Sequence, residues 1–349
     1  MGMHLKDILA ERGEEVFITS RSHRKNSPNI FFIQGDAHDL AFLRPLLEKK
    51  WDAIVDFMVY STEEFGSRVG LFLDSAKQYV FLSSARVFSN VESPINESSP
   101  RLLDCCKDED FLSTDEYSLK KAREEDFLTK SGRGNYTIVR PYITYSEKRL
   151  QLGDMEHQDW IPRALDGRAI VFSDDIKNHL TTLTYGHDVA RGIASIIGKI
   201  ETMGETFNIT CDKSITWIEV LNIYLDAIEE CTGTRPKVKW IQQSLKLKKE
   251  KLKYQVIYDR SFDRVFDNSK ITNYIPTLSF IDPHEGLKQC IKAYIDSNEP
   301  LSFSGIKEGM RDRISGDRMR LNRFCSARER ILYVLCRYCY FDKVINKNQ

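Results

Sequence analysis

Short apolar runs alternate with stretches of helical spacing over most of the chain. Residues 15–19, 29–34, 51–60, 79–82 and 136–141 are rich in Val, Ile, Leu, Phe and Tyr, and each predicts a strand, the 51–60 run together with its outgoing turn. Between them, residues 1–13, 40–49, 61–76 and 113–131 place their apolar positions as helices do, the first closed by Gly13. Residues 89–111 read as a polar loop and 143–159 as loop-like. Beyond them the pattern predicts a helix at 160–165, strands at 169–172 and 204–210, an amphipathic helix at 216–231 and a closing helix at 283–296. The charge run from Lys246 to Lys253 predicts a solvated helix face.

Chemistry gathers on two of these elements. Tyr117 and Lys121 lie one helical turn apart and so share a face. A Lys ammonium held beside a phenol favours the phenolate and draws its pKa from about 10 toward working pH, which makes such a tyrosine a usable acid and base. Ser84 follows the run 79–82 and brings a hydroxyl to a strand's carboxyl end, where open α/β sheets hold their ligands. Taken alone, a Tyr-x-x-x-Lys pair is more often a solvated i,i+4 contact, and its surroundings decide the matter.

The order of strand, Ser83-Ser84-Ala85 with Val87-Phe88, loop, Tyr117-x-x-x-Lys121 helix and strand 136–141 resembles the extended short-chain dehydrogenase/reductases, the NAD-dependent epimerase/dehydratase family. The resemblance runs from Gly2 to about residue 296 and continues through Thr184-Tyr185-Gly186-His187-Asp188-Val189-Ala190 and Phe266-Asp267-Asn268-Ser269-Lys270. It implies an α/β fold: a doubly wound parallel Rossmann sheet over residues 1–147, a smaller α/β substrate domain over 148–298 with interleaved returns to the sheet, and a basic helical extension over 299–349. It also implies an enzyme acting on a sugar, a nucleotide-linked one, in which Tyr117 exchanges the proton, Lys121 lowers the Tyr pKa and holds the cofactor ribose, and Ser84 orients the hydroxyl. Ser84, Arg86 and Tyr142 become the substrate candidates. Asp115 and Glu116, though they resemble a dehydratase acid pair, sit where they would cap and charge a helix N-terminus.

Cofactor candidates follow from the same resemblance. A first strand and a G-x-x-G-x-x-G loop should precede the opening helix, and only the last glycine can be present, as Gly2. An upstream segment of about fifteen residues, an apolar β-branched run and a glycine-rich turn, is therefore expected. Asp36, with Ala37 beside it, stands where the family's carboxylate accepts from the adenine amino group. Ser20 or Arg21 occupies the acidic position that would bind the ribose diol of NAD, and Arg21, Arg24 and Lys25 favour NADP over NAD. Two departures favour a rival reading, a cofactor-sensing or RNA-binding protein on the same fold. Asp56-Phe57-Met58-Val59-Tyr60 resembles an atypical branch, and Thr181 stands where an epimerase grips the substrate diphosphate with Arg.

Composition narrows the rest. Lys and Arg number 51 against 51 Asp and Glu, so no global field draws the chain to nucleic acid, and no nucleic-acid partner is expected. The eight cysteines, with Cys105-Cys106 adjacent and Cys336-x-x-Cys339 alone, form neither a disulfide framework nor a four-ligand metal pattern, and no metal is expected. With no signal peptide and no long apolar run, a cytoplasmic enzyme is the expectation. The last fifty or so residues carry Arg311, Arg313, Arg318, Arg320, Arg323, Arg328 and Arg330 before the apolar stretch 331–341. Such a helix can pack on the enzyme, which its cysteines favour, or on a second subunit as a homodimer; contact with anionic membrane is the lesser alternative.

Overall fold

The computed structural model describes residues 1–247, 253–297 and 300–341, and the chain divides into two compact units. The first gathers residues 1–144, 182–212 and 265–281; the second gathers 145–181, 213–264 and the described residues from 282 on.

In the first unit the elements run α1 (Gly2–Glu11), β1 (Val16–Ser20), β2 (Ile30–Gln34), α2 (Leu40–Glu48), β3 (Trp51–Asp56), α3 (Thr62–Gly66), α4 (Val69–Ser75), β4 (Ala76–Leu82), the short α5 (Leu102–Cys105) and α6 (Glu109–Leu112), α7 (Tyr117–Thr129) and β5 (Tyr136–Pro141). A helix Gly186–Ile196 and a strand Thr206–Ile209 follow later in the chain. The strands Thr206–Ile209, β5, β4 and β3 make a parallel sheet in that order, with Asp56 opposite Phe81, Leu82 opposite Val139 and Thr206 opposite Ile138. One face buries Val80, Leu82 and Val139 under Leu5 of α1 and Val189, Ile193 and Ile196 of the later helix. The other buries Tyr79, Phe81 and Ile138 under Leu43, Phe65, Phe72 and Leu128 of α2, α3, α4 and α7. Helices on both faces of a parallel sheet explain why its strands read as continuous apolar runs.

β1 and β2 pair in parallel as a separate two-stranded sheet. Among the described residues, β1 and β3 therefore each keep one edge without a ladder partner. The rings of Phe17 and Trp51 meet across this interruption, 5.1 Å between centroids, with the Lys49 ammonium over both.

The helix expected over 61–76 is broken in two. Ser61 opens α3 with a capping box to Glu64, and Arg68 ends it by turning its buried guanidinium inward, donating to the carbonyls of Glu64 (2.7 Å) and His38 (2.5 Å) over the Tyr60 ring. A buried guanidinium must find acceptors, and the Glu64 carbonyl in the last turn of α3 and the His38 carbonyl ahead of α2 supply them.

In the second unit, strand Ile170–Ser173 pairs in parallel with Val238–Ile241, and helix Trp217–Thr232, opened by a Thr216–Glu219 capping box, packs on helix Pro283–Asp296. The expected charged helix face at Lys246–Lys253 lies mostly outside the described residues. The chain then forms a hairpin of helices Gly305–Ser315 and Ala327–Tyr338. Buried Arg163 bonds Glu308 and Asp312 of the hairpin, both at 2.8 Å, and Arg168 joins the same two carboxylates. The Asp312 carboxylate also accepts from Tyr333 Oη (2.8 Å) and Met319 N (2.9 Å). No helix among the described residues is long and apolar enough to cross a membrane.

The two hairpin helices meet at glycine. A Cβ on Gly305 would fall 2.0 Å from the Glu329 carbonyl oxygen, and one on Gly309 would fall 2.7 Å from that of Tyr333. Gly305→Val therefore forces the helices apart and is expected to cost about 2–3 kcal/mol, as overpacking does. Urea denaturation measures it; an unchanged midpoint would contradict this packing.

Candidate active site

The site is built where β4 ends and α7 begins. Ser84, buried and extended, accepts the Arg86 amide at 3.2 Å on its Oγ and so caps the turn Ala85–Val87. Arg86 then reaches α7: its Nη2 donates to Glu116 Oε1 at 2.7 Å and its guanidinium lies 5.2 Å from the centre of the Tyr117 ring. Glu116 is the N-cap of α7, accepting from Ser118 N at 2.7 Å. Asp115 acts one element away, accepting from Thr62 N (3.2 Å) and Oγ1 (2.5 Å) at the start of α3. Ser84 and Tyr117 are thus carried by two turns that Arg86 fastens together.

A second network holds α7 on the sheet. Glu125, fully buried, accepts from Ser83 Oγ (2.5 Å), from Arg140 Nε (2.8 Å) and Nη2 (2.7 Å) of β5, and from Arg101 Nη1 (3.2 Å). Charge-assisted bonds of this kind are the strong ones, and here they fix helix against strand ends.

Lys121 points into this interior. Its ammonium is buried, 4.5 Å from the Phe81 ring centre and 2.9 Å from Glu124 Oε2, yet the two groups are too poorly aligned to form a directed hydrogen bond. Burial pushes the Glu124 carboxyl up to about 7, against the pull of Lys121. Asp56, at the carboxyl end of β3, accepts from Tyr79 Oη (2.7 Å) and Met58 N (2.9 Å), and burial raises its pKa while Lys121 and Arg68 oppose the rise. Tyr79 is held well above the usual phenol range by burial and by the Asp56 charge. Glu124 and Asp56 escape the sequence reading, although each has a signal: Glu124 stands three residues beyond Lys121 on its helix, and Asp56 ends a parallel strand.

The remaining candidates are spread along the first unit. Gly2 opens α1, which has no side-chain cap, and a Cβ there would come within 3.6 Å of the Phe57 ring, an ordinary contact. Arg21 is exposed, and next to it Arg24, Lys25, Phe32 and Gln34 line an open cleft of about 470 Å³. Asp36 is exposed and accepts from His38 N at 3.0 Å, whereas Ala37 is buried. A Cβ on Gly35 before them would sit 2.1 Å from the Phe42 ring, which would have to move aside. Tyr142 is buried with its ring 5.1 Å from that of Phe266. In the second unit, Thr181 is buried with a hydroxyl that has no hydrogen-bond partner among the described residues.

This architecture, a parallel sheet with helices on both faces, is the α/β fold that the sequence led us to expect. No protein-family model and no curated protein matches the chain. Among solved structures, it is similar to the enzyme WbmH of Bordetella bronchiseptica in complex with NAD+, at 16% identity over 84% of this chain and 93% of that one, with a TM-score of 0.60. UDP-glucuronic acid 4-epimerase of Bacillus cereus, in complex with UDP-glucuronic acid and NAD, matches at 16% identity over 85% and 96%, TM-score 0.62. MoeE5, also with UDP-glucuronic acid and NAD, matches at 17% over 85% and 96%, TM-score 0.61.

The raised Glu124 carboxyl has a thermodynamic consequence. Between the ordinary carboxyl value of 4.5 and about 7 the folded state binds more protons than the unfolded one. The stabilisation present below the lower value is lost as pH rises through the upper, on the order of 3 kcal/mol. Asp56 adds a loss of the same sign. Glu124→Gln should flatten the decline in urea midpoint between about pH 5 and 8; an unaltered pH profile would mean that Glu124 does not titrate there.

Proposed function

We propose that the protein is a cytoplasmic NAD(P)-dependent epimerase or oxidoreductase acting on a sugar, a nucleotide-linked one, with Ser84, Tyr117 and Lys121 as its proton-handling set. The observation that carries this reading is the Arg86 fastening of the Ser84 turn to the Tyr117 end of α7, with Lys121 one turn further on. Support comes from the solved structures of the same fold whose complexes hold NAD and UDP-glucuronic acid.

The residues fit a dinucleotide on two counts. The buried Lys121 ammonium has donors that no described acceptor takes up in good geometry, which suits a ribose hydroxyl. At the other end α1 begins without a side-chain cap, which suits an anionic pyrophosphate near Gly2. Asp36, with Ala37, would receive the adenine amino group. When bound, the nicotinamide supplies the hydride acceptor and donor at the sugar carbon. Tyr117 takes the proton from the ring hydroxyl and returns it, and Ser84 Oγ orients that hydroxyl. Arg86 and Tyr142 would contact the sugar. A ketone retained and reduced on its other face gives epimerisation; a ketone released gives a dehydrogenase.

The non-catalytic reading, cofactor sensing or RNA binding, draws on Lys121 being held by Glu124 and on Thr181 in place of the diphosphate Arg. Nicotinamide absorbance on adding nucleotide sugars separates the two. Tyr117→Phe should lower turnover by about 10²-fold or more with dinucleotide affinity nearly unchanged; activity within a few-fold of the parent would remove Tyr117 from the mechanism. The exposed Arg21, Arg24 and Lys25 favour a 2′-phosphate, so Arg21→Asp should shift preference from NADP toward NAD. Equal affinity of the parent for both dinucleotides would sink that preference.

A further inference from the structure

The hairpin's second helix, Ala327–Tyr338, has one face accounted for and one face open. Tyr333 and Cys336 are buried against the first helix, where Gly305 and Gly309 let the backbones approach. Ile331, Val334 and Tyr338 recur at i, i+3 and i+7 on the opposite side, and Ile331 and Tyr338 are 60% and 52% exposed. Exposed Leu321 extends this ridge. Beside it Arg318, Arg320, Leu321, Val334 and Tyr338 line a hollow of about 270 Å³.

The charges around the ridge are unbalanced for a structural reason. Between residues 316 and 340 six arginines stand against two acids, Asp317 and Glu329. Both acids are turned inward: Asp317 accepts the Ala169 amide at 2.8 Å, and Glu329 accepts the Gly305 amide at 2.6 Å. Arg318, Arg320, Arg328 and Arg330 are exposed, and none has an acidic partner among the described residues.

We propose that this outer face, the ridge of Leu321, Ile331, Val334 and Tyr338 with Arg318, Arg320, Arg328 and Arg330 along it, docks on an anionic lipid membrane. Apolar side chains need an apolar medium and the arginines need anions, and a bilayer surface with acidic headgroups supplies both at one depth. A nucleic-acid backbone would satisfy the arginines and leave the ridge in water. A second copy placed by a two-fold axis would cover the ridge and set arginines against arginines. This contact is independent of the active site proposed above.

Flotation of the full chain with vesicles tests it, using phosphatidylcholine alone and phosphatidylcholine mixed with phosphatidylserine. Binding is expected only to the mixed vesicles, and it should be lost as salt rises from about 0.1 M to about 1 M, where screening shortens from roughly 10 Å to 3 Å. Arg320→Glu and Arg328→Glu should each weaken it at least about fivefold, and Ile331→Asp should abolish it, with circular dichroism confirming that each variant is folded. Failure to float with either vesicle, equal binding to both, or binding retained by a folded Ile331→Asp would each overturn the proposal. So would an Ile331-dependent dimer, or RNA binding, by a protein that ignores the mixed vesicles.

Discussion

The bonding of β4 along both of its edges is the constraint on which the site depends. Parallel pairing with β3 and β5 sets Asp56 opposite Phe81 and Leu82 opposite Val139, so three strand ends come level. Asp56, Ser83 and Ser84 therefore emerge at one rim, where the geometry of an open α/β sheet concentrates function. Helix α7 is then tied to that rim by polar contacts of unusual depth: Glu125 is 1% exposed and bonds residues of β5 and of the β4 exit. Losing one partner of such a pair strands a buried charge, which is why the helix cannot slide relative to the strands without large cost.

The same rim concentrates charge without full neutralisation. One buried ammonium, Lys121, faces two buried carboxyls, Glu124 and Asp56, and burial raises both acids because the interior solvates their charges poorly. Glu124 also competes for Lys121. Any acceptor that drew the ammonium away would leave a buried carboxylate behind when Glu124 is ionised, and a neutral acid when it is protonated. The second is the smaller electrostatic demand, so occupancy of the lysine and the protonation of Glu124 are linked.

Much of this was legible in the chain because parallel strands buried on both faces leave unmistakable apolar runs: 79–82 and 136–141 fall inside β4 and β5. What failed has a common cause, the inward turn of polar side chains. The helix expected over 61–76 breaks because Arg68 seeks carbonyls in the interior. The helix expected from 113 begins instead at Tyr117, since Ser113 and Thr114 close α6 and Glu116 caps the next helix. Glu124 sits in the run Arg123-Glu124-Glu125-Asp126, which as a sequence looks solvated. Hydrophobic periodicity carries no information about which charges will find buried partners.

The arginines of the second unit make the point most sharply. Arg163 and Arg168 are buried and fastened to Glu308 and Asp312, and Arg311 is buried beside Asp159, whose pKa the arginine charge helps hold below the usual carboxylate range. Arg318, Arg320, Arg328 and Arg330 are the same residue type in the same stretch of chain and lie outside. Acids, not arginines, decide the difference. Each carboxylate used to bind the hairpin inward, Asp317 on Ala169 and Glu329 on Gly305, is one removed from the outer face. The bonds that close the hairpin thereby create its positive exterior, so the packing of this helix and its surface charge are two results of one arrangement.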